Sequence, residues 1–410
     1  MNVRPPTVAA TVVTTAMILV SLAPGLLPRP ALTQAVFSGA LVALGLATTA
    51  IVRRHSPHNP QRAQPPFLIG AAAVIATTAL AAAQWQNGLR ETMGVSTVGW
   101  AHWGVVAIGT VAVAAGLSAV ARALRWVIGF LRRSRFGIPT LVVLALLAAS
   151  TRFAAVIPTS ADTLGPQGER FVSGGTSSST RVYVGVDAAP DPAGRAALAV
   201  EQLDRTGALR QPNLVIAVPT GSGWIDENAA TGLERRFGGA VAIVGVQYST
   251  APSWVGFLFD RATATESARA VFDAVAARVA QLPADRRPTL YVYGQSLGAL
   301  GGAGVFRDGA DQDRRTCAVL WAGPPAGAVP AQGATVLANR SDPVVWWSPR
   351  LLVRPPDLAA TRSDAPIPPW IPLVGFLQTS VDLLGALDAP AGHGHRYGLD
   401  QGTAMGACGS

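Results

Sequence analysis

The chain has 410 residues, half of them apolar, with two cysteines and a formal net charge of +9. All 32 of its basic residues are arginine; twelve lie in residues 1–157 beside a single acid, Glu91, and the other 20 lie in residues 158–410 with 22 acids. The positive charge therefore belongs to the N-terminal part, which argues against nucleic-acid binding, and the cysteine spacing gives no sign of a metal site.

Residues 1–158 read as a multi-span transmembrane domain of four to five helices. Val8–Leu27, Ala31–Val52, Phe67–Ala83 and Trp100–Ala121 are apolar runs of 17 to 22 residues, long enough for about 30 Å of hydrocarbon. A fifth run, Gly137–Ala149, has 13 residues and spans only if it extends towards Pro158. More spans follow the first one, so it reads as an anchor rather than a removed signal peptide.

Nine arginines (Arg4, Arg53, Arg54, Arg62, Arg122, Arg125, Arg132, Arg133 and Arg135) fall on one side of these spans, and Arg29 and Arg90 on the other. The positive-inside rule puts the nine in the cytoplasm. Five spans then place the C-terminal domain outside a plasma membrane, and four place it inside. Outside, Cys317 and Cys408 can pair.

Residues 159–180 are rich in Ser, Gly and Thr and read as a linker. Residues 181–410 alternate strands with helices. Arg181–Val186, Leu214–Val218, Ala240–Gln247, Thr289–Tyr293, Thr316–Trp321 and Ala334–Ala338 read as strands. Pro192–Thr206, Glu227–Arg236, Ala262–Gln281 and the stretch from Ala299 read as helices. This alternation predicts an α/β fold with a mostly parallel sheet.

Gly294-Gln295-Ser296-Leu297-Gly298 follows the fourth strand and opens a helix. Strand, Gly-x-Ser-x-Gly and helix make the nucleophile elbow of an α/β-hydrolase. Its serine needs an imidazole base and an orienting acid. His393 and His395 are the only histidines downstream of the serine. His395 is preferred, because the Gly392-His393-Gly394 tip leaves the chain free to bend before it; His393 stays as the alternative. Asp342 follows the last strand, where open α/β sheets carry their chemistry; Asp382 and Asp388 compete but sit in a Leu-rich stretch that reads as helix.

The oxyanion donors expected are Leu297 N–H and one among Gly221, Ser222 and Gly223, in the loop after the second strand. Trp224, Tyr248, Trp254, Trp346 and Trp347 are expected pocket walls. The Pro- and Trp-rich stretch Val344–Gln378 reads as a lid or an apolar wall. No metal or other cofactor is required.

Together, the segments Pro219–Trp224, Gln247–Ser249 with Pro252–Trp254, Tyr293–Gly298, Ser341–Ser348 and Gly392–Tyr397 resemble a bacterial family of actinobacterial type. In that family a multi-span N-terminal domain precedes an α/β-hydrolase domain. Thr250-Ala251 departs from the aromatic–apolar pair expected before Pro252. The resemblance implies a Ser–Asp–His site at Ser296, Asp342 and His395. With the residues above it predicts a membrane-anchored serine hydrolase, esterase- or lipase-like, whose partner is an apolar ester or lipid-like substrate. The alternatives are an acyltransferase with the same three residues and an envelope alcohol acceptor, and a catalytically silent membrane scaffold.

Overall fold

A computed structural model describes residues 5–55, 61–133, 164–251, 256–257, 260–329 and 333–408. The fifth apolar run and Trp254 lie outside the described residues. Contacts divide the chain into two units, residues 1–159 and 160–410.

The first unit contains α1 (Val8–Leu22), α2 (Ala31–His55), α3 (Pro65–Thr92) and α4 (Trp100–Arg133). Three of these, Ala31–His55, Pro65–Thr92 and Trp100–Phe130, are long and apolar enough to cross a membrane. The first is shorter than its apolar run suggests. Pro24 disfavours the helical conformation at Ala23, so α1 stops at Leu22 after 15 residues, about 22 Å. In contrast, α3 runs on past Trp85 and Arg90, and α4 past Arg122 and Arg125, so these residues are helical rather than in loops.

Small residues let α2 and α4 approach closely. A Cβ added at Gly39 would fall 2.6 Å from Val113 Cβ, and one at Gly109 would fall 2.7 Å from Ala35 Cβ. Close packing of this kind, rather than the hydrophobic effect, is what joins helices in lipid.

The second unit opens with α5 (Gly165–Ser173), inside the stretch expected to be a linker. Phe171 buries itself against Tyr183 and turns part of that stretch into structure. Strands and helices then alternate: β1 (Thr180–Val184), α6 (Pro192–Arg205), β2 (Asn213–Val218), α7 (Glu227–Arg236), β3 (Ala242–Val246), α8 (Arg261–Ala280), β4 (Thr289–Gln295), α9 (Leu297–Ala303), α10 (Gly309–Arg315), β5 (Ala318–Ala322) and β6 (Thr335–Leu337). Three short helices follow, α11 (Pro343–Trp346), α12 (Val374–Asp382) and α13 (Asp400–Thr403).

All pairings in the six-stranded sheet are parallel, in the order β1-β3-β2-β4-β5-β6. Successive side chains of a strand point to opposite faces. Val182, Leu214, Ile216, Val244, Val292, Val319 and Trp321 pack on one face against α6 and α8, while Tyr183, Val215, Ile243, Tyr291, Tyr293 and Leu320 pack on the other with Leu233 of α7. Burial on both faces explains why these strands read as nearly continuous apolar runs.

The chain builds outward from β2 in both directions, so β2 and β4 flank a switch in strand order. The crevice at the carboxyl ends of such strands is where open α/β sheets bind ligands. Val218 pairs with Gly294 there.

Candidate active site

Ser296 sits between the end of β4 and the start of α9 with φ 54° and ψ −122°. A non-glycine residue holds such angles only where its surroundings over-determine them, a feature that clusters at functional sites. Ser296 N–H donates to Ala322 O at 2.9 Å. The two glycines of the motif are sterically required. A Cβ at Gly294 would lie 2.5 Å from Gly298 O, and one at Gly298 would strike Val218 O of the neighbouring strand.

Asp342 caps α11, and Val344 N–H donates to its Oδ1 at 2.8 Å. It is fully buried, at 0% exposure. Its Oδ2 accepts from His395 Nδ1 at 2.7 Å and from the Tyr397 hydroxyl at 2.7 Å. A carboxylate only accepts, so the imidazole carries its proton on Nδ1 and Nε2 is left as the acceptor.

His395 is 5% exposed, and its N–H donates to Ala386 O at 3.1 Å. Gly323, at φ 53°, leaves room for the ring: a Cβ there would fall 2.7 Å from His395 Cε1 and 2.8 Å from Tyr397 Cε2. Tyr397 also accepts from Asn339 N–H at 3.2 Å. Burial, followed by the nearby Asp342 charge, pushes the Tyr397 hydroxyl well above the usual tyrosine pKa.

Ser296 and His395 line the same cavity of about 470 Å³, with no hydrogen bond between them among the described residues. Its walls include Trp224, Phe257, Val344, Trp347, Leu383 and Leu387. Trp347 meets Phe257 edge-on and Phe376 at a tilt, with ring centroids 5.7 and 5.6 Å apart, and its Nε1 donates to Ser380 Oγ at 2.9 Å.

A family model described as "Alpha/beta-hydrolase family" matches residues 180–335 and 331–407, and one described as "Alpha/beta-hydrolase family N-terminus" matches residues 22–159. The chain belongs to this family. Membership brings a hydrolase-type function in general terms. No curated protein and no solved structure matches the chain.

In this family member His393 stands apart from the cavity, its Nδ1 3.3 Å from Asp364 Oδ2. Leu297, as the first residue of α9, has an N–H without an intrahelical acceptor. Ser222 lines the cavity with Thr220. Gly223 does not offer the N–H expected of it. That group closes a tight turn onto Thr220 O at 2.9 Å, and the Gly223 carbonyl accepts from Tyr183 at 2.6 Å. Gly221 lies in the same turn.

Trp224 and Trp347 are on the wall. Trp346 and Tyr248 are not among its lining residues. Trp346 is buried with its Nε1 donating to Arg340 O at 2.8 Å, because the single turn of α11 points adjacent side chains in different directions. Tyr248 turns into a separate, water-sized cavity beside Ser267, where burial raises its hydroxyl pKa and that hydroxyl has no partner among the described residues.

Asp382 is buried at the end of α12, and Asp388 is exposed. Cys317 and Cys408 form a disulfide that ties the C-terminal tail to the start of β5.

Gly323, Tyr397 and Asp364 are functional residues that the sequence does not single out. Only Tyr397 carries a signal, two residues beyond His395 in the Gly-rich segment 392–398. Gly323 is one of 43 glycines, and Asp364 lies in a Pro-rich stretch without periodicity.

Proposed function

We propose that the protein is a membrane-anchored serine hydrolase that cleaves esters of apolar acyl groups through Ser296, His395 and Asp342. The observation that carries this reading is the cavity whose wall joins a serine on a strained elbow to an imidazole oriented by a fully buried carboxylate. A weak nucleophile, a base and an orienter in sequence is the logic of acyl transfer through a covalent intermediate.

In the first half-reaction Ser296 Oγ passes its proton to His395 Nε2 as it attacks the acyl carbon. Asp342 stabilises the imidazolium through Nδ1–H and does not take a proton itself. Leu297 N–H, with a backbone N–H of Gly221 or Ser222, holds the charge that develops on the carbonyl oxygen. His395 then returns the proton to the departing alkoxide, and an acyl-Ser296 ester remains. Water, deprotonated by His395, hydrolyses that ester and restores the serine.

Among the described residues no arginine, aspartate or glutamate lines the cavity, and its wall of Trp224, Phe257, Val344, Trp347, Leu383 and Leu387 favours an apolar acyl chain. The three long apolar helices support anchoring. The Cys317–Cys408 disulfide supports a catalytic domain outside the cytoplasm, a placement that the arginine distribution gives when the fifth apolar run also spans.

A fluorophosphonate probe applied to intact and lysed cells tests the reading. Wild type is expected to label in both, and Ser296→Ala in neither. Absence of labelling in folded wild type refutes the enzyme and favours the scaffold. Labelling confined to lysed cells refutes the sidedness.

A further inference from the structure

A second carboxylate stands behind the loops that carry Asp342 and His395. Asp364 Oδ1 accepts from Ser341 N–H at 3.0 Å. Its Oδ2 accepts from the Ser341 hydroxyl and lies 3.3 Å from His393 Nδ1. Ser341 Oγ in turn accepts from Gly394 N–H at 2.8 Å.

Ser341 and Gly394 are the residues immediately before Asp342 and His395. One carboxylate therefore reaches, in one and two hydrogen bonds, the residue that precedes each member of the pair. Gly394 is held at its other end too, where its carbonyl accepts from Asn339 Nδ2 at 2.9 Å, and Arg362 Nε donates to Asn339 Oδ1 at 2.5 Å.

Asp364 is itself fixed to the sheet. Arg362 N–H donates to Ala338 O at 2.8 Å, and Arg340 N–H to Arg362 O at 2.9 Å, so the Pro-rich excursion pairs with the chain leaving β6. The Asp364 side chain is 5% exposed. The histidine loop needs such a hold, since Gly392 and Gly394 both have positive φ and confer little stiffness of their own.

We propose that Asp364 is a positioning residue that keeps Asp342 and His395 in register by gripping the residue before each, with His393 as its third partner rather than as a base. The proposal rests on the reading of Ser296, Asp342 and His395 as the catalytic residues. A misplacement of about 1 Å in such a pair costs on the order of 100-fold in rate, whereas the apolar walls that bind substrate are left untouched.

The test uses the full-length protein in detergent, with Asp364→Asn, Ser341→Ala and the double variant. Each is assayed for the rate constant of fluorophosphonate labelling at Ser296, for kcat and KM on p-nitrophenyl butyrate, and for Tm. The single variants are expected to lose about tenfold or more in labelling rate and in kcat, with KM within about twofold. The double variant is expected to fall no more than about threefold below the worse single, because both substitutions cut the same link.

Labelling by Asp364→Asn within about twofold of wild type overturns the proposal, and so does a rise in KM at unchanged kcat. Where Asp364→Asn does not fold, Ser341→Ala decides alone: a lower Tm with an unchanged labelling rate refutes positioning, and a lower rate supports it. Wild type that fails to label at Ser296 refutes the catalytic reading, and this inference with it. Wild type that labels beside variants that label equally well refutes this inference only.

Discussion

Replacing Tyr397 with Phe removes one hydroxyl and leaves the ring in place. That hydroxyl donates to Asp342 Oδ2 at 2.7 Å and accepts from Asn339 N–H at 3.2 Å, and the residue is fully buried. A hydrogen bond to a charged group contributes about 1.5–3 kcal/mol, and an orphaned buried N–H costs about 1–3 kcal/mol. The substitution is therefore expected to destabilise the second unit by about 2.5–6 kcal/mol. For a domain of this size each kcal/mol shifts Tm by about 2–4 °C, so the expected fall is roughly 5–24 °C.

Asp342 keeps two of its three donors, Val344 N–H and His395 Nδ1–H. Ester cleavage at a temperature where the variant is folded should thus fall by no more than about tenfold. Thermal unfolding followed by tryptophan fluorescence, beside fluorophosphonate labelling at 20 °C, measures both. A Tm within about 2 °C of wild type would show that the buried pair contributes little net stability. A loss of about a thousandfold in labelling by folded protein would give Tyr397 a direct part in the chemistry, contrary to the geometry.

Two further predictions rest on close packing and burial. Gly323→Ala places a Cβ 2.7 Å from His395 Cε1 and 2.8 Å from His395 Nδ1 at φ 53°, so the ring must move; overpacking costs about 1–3 kcal/mol, and labelling at Ser296 should fall on the order of 100-fold. Labelling at the wild-type rate would contradict the assigned ring position. Burial raises the hydroxyl pKa of all five tyrosines, Tyr183, Tyr248, Tyr291, Tyr293 and Tyr397. A raised folded-state pKa contributes stability that is complete below the unfolded value of about 10 and is lost as pH climbs towards the folded value. Tyrosinate absorbance at 295 nm should therefore appear together with the loss of near-ultraviolet circular dichroism; free titration of the tyrosines in folded protein near pH 10 would refute it.

The elements of the second unit were legible because their signals are local. Strand runs such as Leu214–Val218, the Asp191-Pro192 start of α6 and the Gly-x-Ser-x-Gly turn each depend on residues within a few positions of one another. Where a local signal was overruled, a neighbour did it. Pro24 cut the first apolar run short, and Tyr183 drew Phe171 out of a Ser- and Gly-rich stretch into a packed helix.

An alternating α/β domain behind apolar helices, a serine on a tight turn, and a short choice of histidines and acids downstream of it can all be read from the residues in order. Three-dimensional packing selects His395 over His393 as the partner of Asp342, gives Tyr397 the same carboxylate oxygen, and brings Asp364 against both Ser341 and His393. The reason is range. Asp342 and His395 are 53 residues apart along the chain, and whether a hydrogen bond forms across that distance depends on the packing of a whole sheet edge, including one glycine whose missing side chain leaves the ring its space.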